Sequence, residues 1–162
     1  MSRQLLQPDA EECRLLQLPA SAESFWAVIE FLSQDKAVFD KAQAGRLVPV
    51  VRHQVERRFH ACAVRGKALV GYCGWVLMTR EIGEQWLRGE VESQIPFVPP
   101  ERADAAALTI VRVLEPKLVL PLIRRARELN PGKRVFFRRD YEGSQKPQKK
   151  ATVLNVLSLI HI

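Results

Sequence analysis

With 162 residues, 47% of them hydrophobic and 27% charged, the chain has the length and composition of one soluble domain with a buried core. No apolar run approaches the ~20 residues of a membrane-spanning helix. Met1 to Pro19 carries Asp9, Glu11 and Glu12 without an apolar signal core, so a cytoplasmic protein is expected. The formal charge of +7 points to an acidic partner or surface, a requirement that nucleic acid, an acidic carrier protein and an acidic protein substrate all meet.

In chain order, residues 1–20 read as a loosely structured lead-in with Pro8 and Pro19, followed by one domain over 21–156. Ser21 is a helix N-cap candidate with Glu23 in the first turn, and Phe25, Val28, Ile29 and Leu32 form an apolar helical face. A second short helix is expected over Val38–Ala44, stopped by Gly45. Leu47 to Val51 is apolar and interrupted by Pro49, and the polar run Arg52–Arg58 fits a helix or an edge segment.

Two β-rich runs from His60 to Met78 flank Arg65-Gly66-Lys67 and predict a β-hairpin. Thr79–Gly89 has helical composition, and Glu92–Arg102, with Pro96, Pro99 and Pro100, reads as an extended connection. Ala106–Leu114 is the expected central strand. Pro116 and Pro121 confine the next helix to about 119–129, Asn130-Pro131-Gly132 ends it, and Arg134–Arg139 forms a further strand. Lys146–Lys150 reads as a loop, and residues 157–162 resemble translated sequencing-adapter DNA.

The three cysteines, Cys13, Cys62 and Cys73, are odd in number and lack metal-ligand spacing. Free thiols in a reducing compartment are therefore expected, with Cys62 and Cys73 on opposite hairpin arms and near one another.

The element order is that of an α+β protein with an N-acetyltransferase-like sheet, mixed but mostly antiparallel and flanked by helices. Ala68-Leu-Val-Gly-Tyr-Cys-Gly-Trp75 resembles a strand of the bacterial toxin-activating lysine acyltransferases of RTX toxins, whose pattern is roughly Pro-Val-Ala-Tyr-Cys-Ser-Trp-Ala. Upstream, Leu47-Val-Pro-Val-Val and the polar run to Phe59 are similar to the family's segment before the hairpin. Downstream, Leu108–Pro116, the helix to Leu129 and the strand Arg134–Arg139 follow in the family's order.

That resemblance implies transfer of a fatty acyl group from acyl carrier protein, not from free coenzyme A, to a protein lysine. The attack requires a base, because the amine is protonated at neutral pH, and donors to the oxyanion formed at the thioester carbon. The family's histidine and aspartate positions fall here on Phe39 and Thr109. His60, His53 and Asp104 are the replacement candidates. Their alternative reading is structural: surface or strand-end histidines, and an aspartate that caps or solvates a loop. Ordinary members of the fold hold the cofactor pyrophosphate on backbone amides of a Gly-rich turn at a helix N-terminus. The equivalent turn here, Leu114-Glu115-Pro116-Lys117-Leu118, has no glycine, loses a donor at Pro116 and carries a repelling Glu115, so no cofactor is expected.

Arg124, Arg125, Arg127, Arg134, Arg138 and Arg139 form a candidate surface for acyl carrier protein or another acidic protein; a solvated helix face with strand-end charges is the alternative. Two other functions fit the charge: a non-catalytic binding module of the same fold, and a basic nucleic-acid-associated protein. No helix-turn-helix, zinc or aromatic-basic RNA motif accompanies the third.

Overall fold

The computed structural model describes residues 12–35, 44–91, 98–138 and 151–154. The expectations for residues 1–11, most of the short helix at 38–44, Phe39, most of the extended segment before 98, Arg139, the loop at 146–150 and the tail at 157–162 lie outside them.

Six strands form one sheet in sequential order: β1 Cys13–Leu16, β2 His60–Arg65, β3 Ala68–Met78, β4 Ala105–Val113, β5 Arg134–Arg138 and β6 Ala151–Leu154. Every neighbouring pair is antiparallel except β4 and β5. A parallel pair needs a crossover. Here a 3-10 turn, Pro116–Leu118, and a helix, Val119–Glu128 (α4), supply it. The other helices are α1 Ala22–Ser33, α2 Ala44–Glu56 and α3 Arg80–Leu87.

Strand alternation sorts the core into two layers. Ala61 pairs with Cys73 and faces α4, where Trp75, Leu77, Ala106, Leu108 and Val135 meet Leu122, Ile123 and Ala126. Cys62 pairs with Tyr72 and faces the opposite layer, where Val28, Phe31 and Leu32 of α1 join Leu47, Val51 and Val55 of α2. Farther along that second face, Trp86 of α3 packs with Met78, Ala105, Ala107 and Phe136. Cys62 and Cys73 are thus free thiols on neighbouring hairpin arms, as expected, with their side chains on opposite faces of the sheet. One residue of offset in register separates them by the thickness of the sheet.

The hairpin forms as expected. Its two-residue loop, Gly66-Lys67, places glycine at the first central position with φ 61°, a backbone that the type II′ hairpin turn requires there. Ser21 caps α1 by accepting from the Ser24 N–H at 3.1 Å, and Thr79 caps α3 by accepting from Ile82 N–H at 3.3 Å.

Two segments differ from their reading. Cys13–Leu16 is an edge strand and not a loose lead-in; its four residues lack alternation, and the free edge of β2 supplies the pairing. Leu47–Val51, read only as an apolar run broken by Pro49, is helical, and of the two alternatives for the polar run after it the helix is the one that forms, to Glu56. The carbonyl that Pro49 leaves unbonded belongs to Gly45, in the exposed first turn, where interruption of the ladder costs least.

The end of α2 is built around a left-handed residue. Arg58 has φ 58°, its N–H bonds Val55 O at 3.2 Å, and Phe59 N–H reaches back to Gln54 O at 2.8 Å. This is the Schellman closure, which glycine normally occupies. Arg58→Gly is expected to stabilise the fold by about 0.5–1 kcal/mol, the left-handed penalty less the extra chain entropy of glycine. Urea unfolding would show it as a higher midpoint at unchanged slope.

Candidate functional site

The register of β3 against β4 slips once. Gly74 pairs with Ile110 and Trp75 with Leu108, so Thr109 is an extra residue on β4, a β-bulge. The parallel pairing of β4 with β5 covers only Ala105–Leu108 against Arg134–Phe137. Bulge and end of pairing thus coincide. Beyond Thr109, β4 runs on to Val113 half-buried, and among the described residues its ladder with β5 stops there, at the carboxyl ends of two parallel strands. Sheets of parallel strands commonly bind ligands at such a place.

A bulge puts two successive side chains on one face. Ile110 packs in the α1/α2 layer, and Thr109 meets α2 on the same side. There Gln54, fully buried, donates from Nε2 to Thr109 Oγ1 at 2.9 Å, and Tyr72 donates its hydroxyl to Gln54 Oε1 at 2.8 Å. Burial holds the Tyr72 phenol well above its ordinary pKa, so it is a protonated donor at neutral pH. With its oxygen accepting from Gln54, Thr109 keeps its own O–H for donation. Gly74 makes this arrangement possible: a Cβ there would stand 2.0 Å from Gln54 Oε1.

Gln54 escaped the sequence reading, although a signal was present. It shares the face of Leu47, Val51 and Val55, one polar residue in an apolar stripe.

The three catalytic candidates are not brought together. His60 is 0% exposed, and both ring nitrogens are engaged: Nε2 accepts from Leu18 N–H at 2.8 Å, and Nδ1 lies 3.1 Å from Gln54 O. Since an N–H can only donate, Nε2 carries the lone pair and Nδ1 the proton. The lone pair that a general base needs is thus already occupied. His53 sits on α2 with its ring edge-on to Phe59 at 5.6 Å. Asp104 precedes β4, roughly 16 Å of strand from Thr109. It accepts from Arg80 N–H at 2.7 Å at the start of α3, so it supports a helix N-terminus.

Burial first, and nearby arginine charge as well, keeps both histidines below their ordinary pKa: Arg58 acts on His60 and Arg57 on His53. An imidazole held neutral in the fold gains protons on unfolding wherever the pH is below about 6.5, the unfolded value. Stability is therefore full above that pH and falls as the pH drops towards the folded values. Melting temperature is expected to decline between pH 7 and pH 5, and to decline less in the His60→Gln variant.

The thiols offer no alternative nucleophile. Burial pushes the Cys62 pKa up to about 12 and that of Cys73 higher still, so neither ionises at neutral pH. Among the described residues no group of three or more His, Cys, Asp or Glu side chains could hold a metal ion.

The turn after β4 is occupied by the chain's own anion. Glu115 lies 2.5 Å from Arg65 Nη1 and 3.1 Å from Lys117 Nζ, and its hydrogen bonds to Arg65 and then Lys117 lower its pKa to about 2. Arg112, on the open stretch of β4, is committed too. Its guanidinium bonds the Phe31 carbonyl and stacks 4.3 Å over the Phe31 ring, closing the C-terminal end of α1.

The basic set divides between the two faces of the sheet. Val135 and Phe137 face α4, so Arg134 and Arg138 face α3: Arg134 lies 3.7 Å from Glu84, and Arg138 donates to Trp86 O at 3.1 Å and stacks over that indole at 5.0 Å. Arg124, Arg125 and Arg127 lie on α4, across the sheet. Arg125 pairs with Glu128 at 3.0 Å; Arg124 is exposed and Arg127 half-exposed, without an ion-pair partner among the described residues.

No protein-family model matches the chain, and no curated protein does. Among solved structures it is similar to the loading GNATL domain of CurA from Lyngbya majuscula, with 13% identity, a TM-score of 0.57, and coverage of 83% of this chain and 69% of that one. At that identity the likeness speaks for architecture alone: the chain has an N-acetyltransferase-like α+β fold.

Proposed function

We propose that the chain binds an acyl thioester in the opening beyond Thr109, presented by an acidic acyl carrier protein docked on α4, and passes the acyl group to a protein lysine. The observation that carries this reading is the bulge at Thr109, placed where the β4–β5 pairing ends and backed by the buried Gln54–Tyr72 pair. Thr109 Oγ–H is a donor held in place by a buried partner, the kind of group that stabilises charge developing on a thioester oxygen. In the transfer, the lysine amine attacks the carbonyl carbon, a C–N bond forms, the C–S bond breaks, and the carrier's thiolate leaves and takes a proton. The phosphates of free coenzyme A do not suit the turn after β4, where Glu115 already pairs with Arg65 and Lys117 and would repel an incoming phosphate. The Tyr72-Cys73-Gly74-Trp75 motif supports kinship with the toxin-activating lysine acyltransferases.

One observation favours a second reading, acyl binding without transfer: the lone pair of His60 is taken, and Asp104 stands at the far end of β4. Incubation with radiolabelled octanoyl-acyl carrier protein and lysine-rich acceptor peptides separates the two. Label on a lysine, rising about tenfold per pH unit between 7 and 9 as the amine loses its proton, supports transfer. Saturable binding of the carrier without transfer supports the binding module, and neither binding nor transfer overturns both readings.

A further inference from the structure

Residues 17–20 connect β1 to α1 across the end of α2, and their anchorage is sparse. No backbone–backbone hydrogen bond among the described residues holds them. Two side-chain bonds do: Gln17 Nε2 donates to Arg58 O at 2.6 Å, and Leu18 N–H donates to His60 Nε2 at 2.8 Å. Leu16 and Leu18 pack on the same α1/α2 layer that contains Tyr72. This connection is therefore a strap over the face that carries the Gln54–Thr109 pair, held by one imidazole lone pair and one carbonyl.

We propose that His60 is an acid-sensitive latch: uptake of a proton at Nε2 removes the acceptor for Leu18 N–H and releases the strap, while Nδ1 stays bonded to Gln54 O. A protonated ring presents two N–H groups, so Nε2–H would oppose Leu18 N–H directly. The groups facing the ring give the charge no support. Arg58, in the turn after α2, repels it; Tyr72 of β3 stacks beside it at 6.0 Å as a neutral phenol; Cys62, on its own strand, is a neutral thiol; the strap brings no charge. A buried imidazolium without a carboxylate must reach water. Departure of the strap opens that route and leaves the Schellman closure intact, because Gln54 O goes on accepting from Phe59 N–H.

The Leu18 amide is a direct reporter. In the wild-type protein, amide hydrogen exchange followed by NMR and corrected for intrinsic rates should show Leu18 protection falling severalfold, to a ceiling of about tenfold for one proton, between pH 7.5 and pH 5.5. Its midpoint should match that of the His60 ring protons, below the ordinary histidine value, while the Phe59 and Trp75 amides stay protected. In the His60→Gln variant the corrected Leu18 protection should be the same at both pH values, and His53→Asn should behave as wild type. The proposal is overturned if Leu18 stays protected while His60 titrates. It is overturned equally if Leu18 loses protection only together with Phe59 and Trp75, or if the pH-dependent loss persists in His60→Gln.

Discussion

Gly74→Ala should be among the most destabilising single-methyl additions in the molecule, at about 3 kcal/mol or more. The new Cβ would lie 2.0 Å from Gln54 Oε1 and 2.5 Å from its Cδ, so the Gln54 side chain cannot remain. Overpacking alone costs about 1–3 kcal/mol. Expelling Gln54 also strips the buried Tyr72 hydroxyl and Thr109 of their partner, and an unsatisfied buried polar group costs about 1–3 kcal/mol more. A double-mutant cycle distinguishes this cause from simple strain. With Gln54→Ala in the background, the space Gly74→Ala needs is already vacant, so its penalty should shrink by at least about 1 kcal/mol. Equal penalties in both backgrounds would mean that the glycine serves some purpose other than admitting Gln54.

Reversing Arg124 and Arg127 to glutamate should weaken binding of acyl carrier protein at least tenfold at 0.15 M salt and leave the melting temperature nearly unchanged. Arg124 is exposed and Arg127 half-exposed, so on the proposed reading their contribution lies in the field they present to the carrier. Arg134→Glu and Arg138→Glu should do the reverse. Arg134 faces Glu84, and Arg138 covers the Trp86 indole and bonds its carbonyl, so their replacement should lower stability through α3 with little effect on carrier binding. Isothermal titration against the carrier, alongside thermal melts, reads both effects. If the β5 pair governs binding and the α4 pair does not, the docking face has been assigned to the wrong side of the sheet.

Much of the architecture was legible because local chemistry and tertiary need agree there. The hairpin has glycine where positive φ is required, Ser21 stands at its helix end, and Ala106–Leu114, read as the central strand, lies one residue from the observed Ala105–Val113. Reading failed where the deciding partner is remote in sequence. Cys13–Leu16 has no strand pattern of its own and is a strand because β2 offers an edge. Leu47–Val51 looked interrupted at Pro49, but the bond that proline removes lies in an exposed first turn, and the helix runs through it.

At the site, Thr109 and His60 were singled out as positions, but their roles depend on contacts that no spacing reveals. The bulge at Thr109 exists only in the register of β3 against β4. The state of His60 is set by Leu18, 42 residues away. The arginines looked like one cluster because sequence proximity hides alternation: residues 134 and 138 share a strand face, and that face is turned away from α4.

The account rests on an acyl group occupying the opening beyond the bulge. An NMR titration of the ¹⁵N-labelled protein with octanoyl-pantetheine, a thioester without the nucleotide, tests this without any need for an acceptor. Saturable shifts centred on the amides of Thr109–Val113 and of Phe137 and Arg138, reduced at least tenfold in apparent affinity by Thr109→Val, are predicted. No saturable shift, or shifts centred elsewhere and indifferent to Thr109→Val, would contradict the placement of the site.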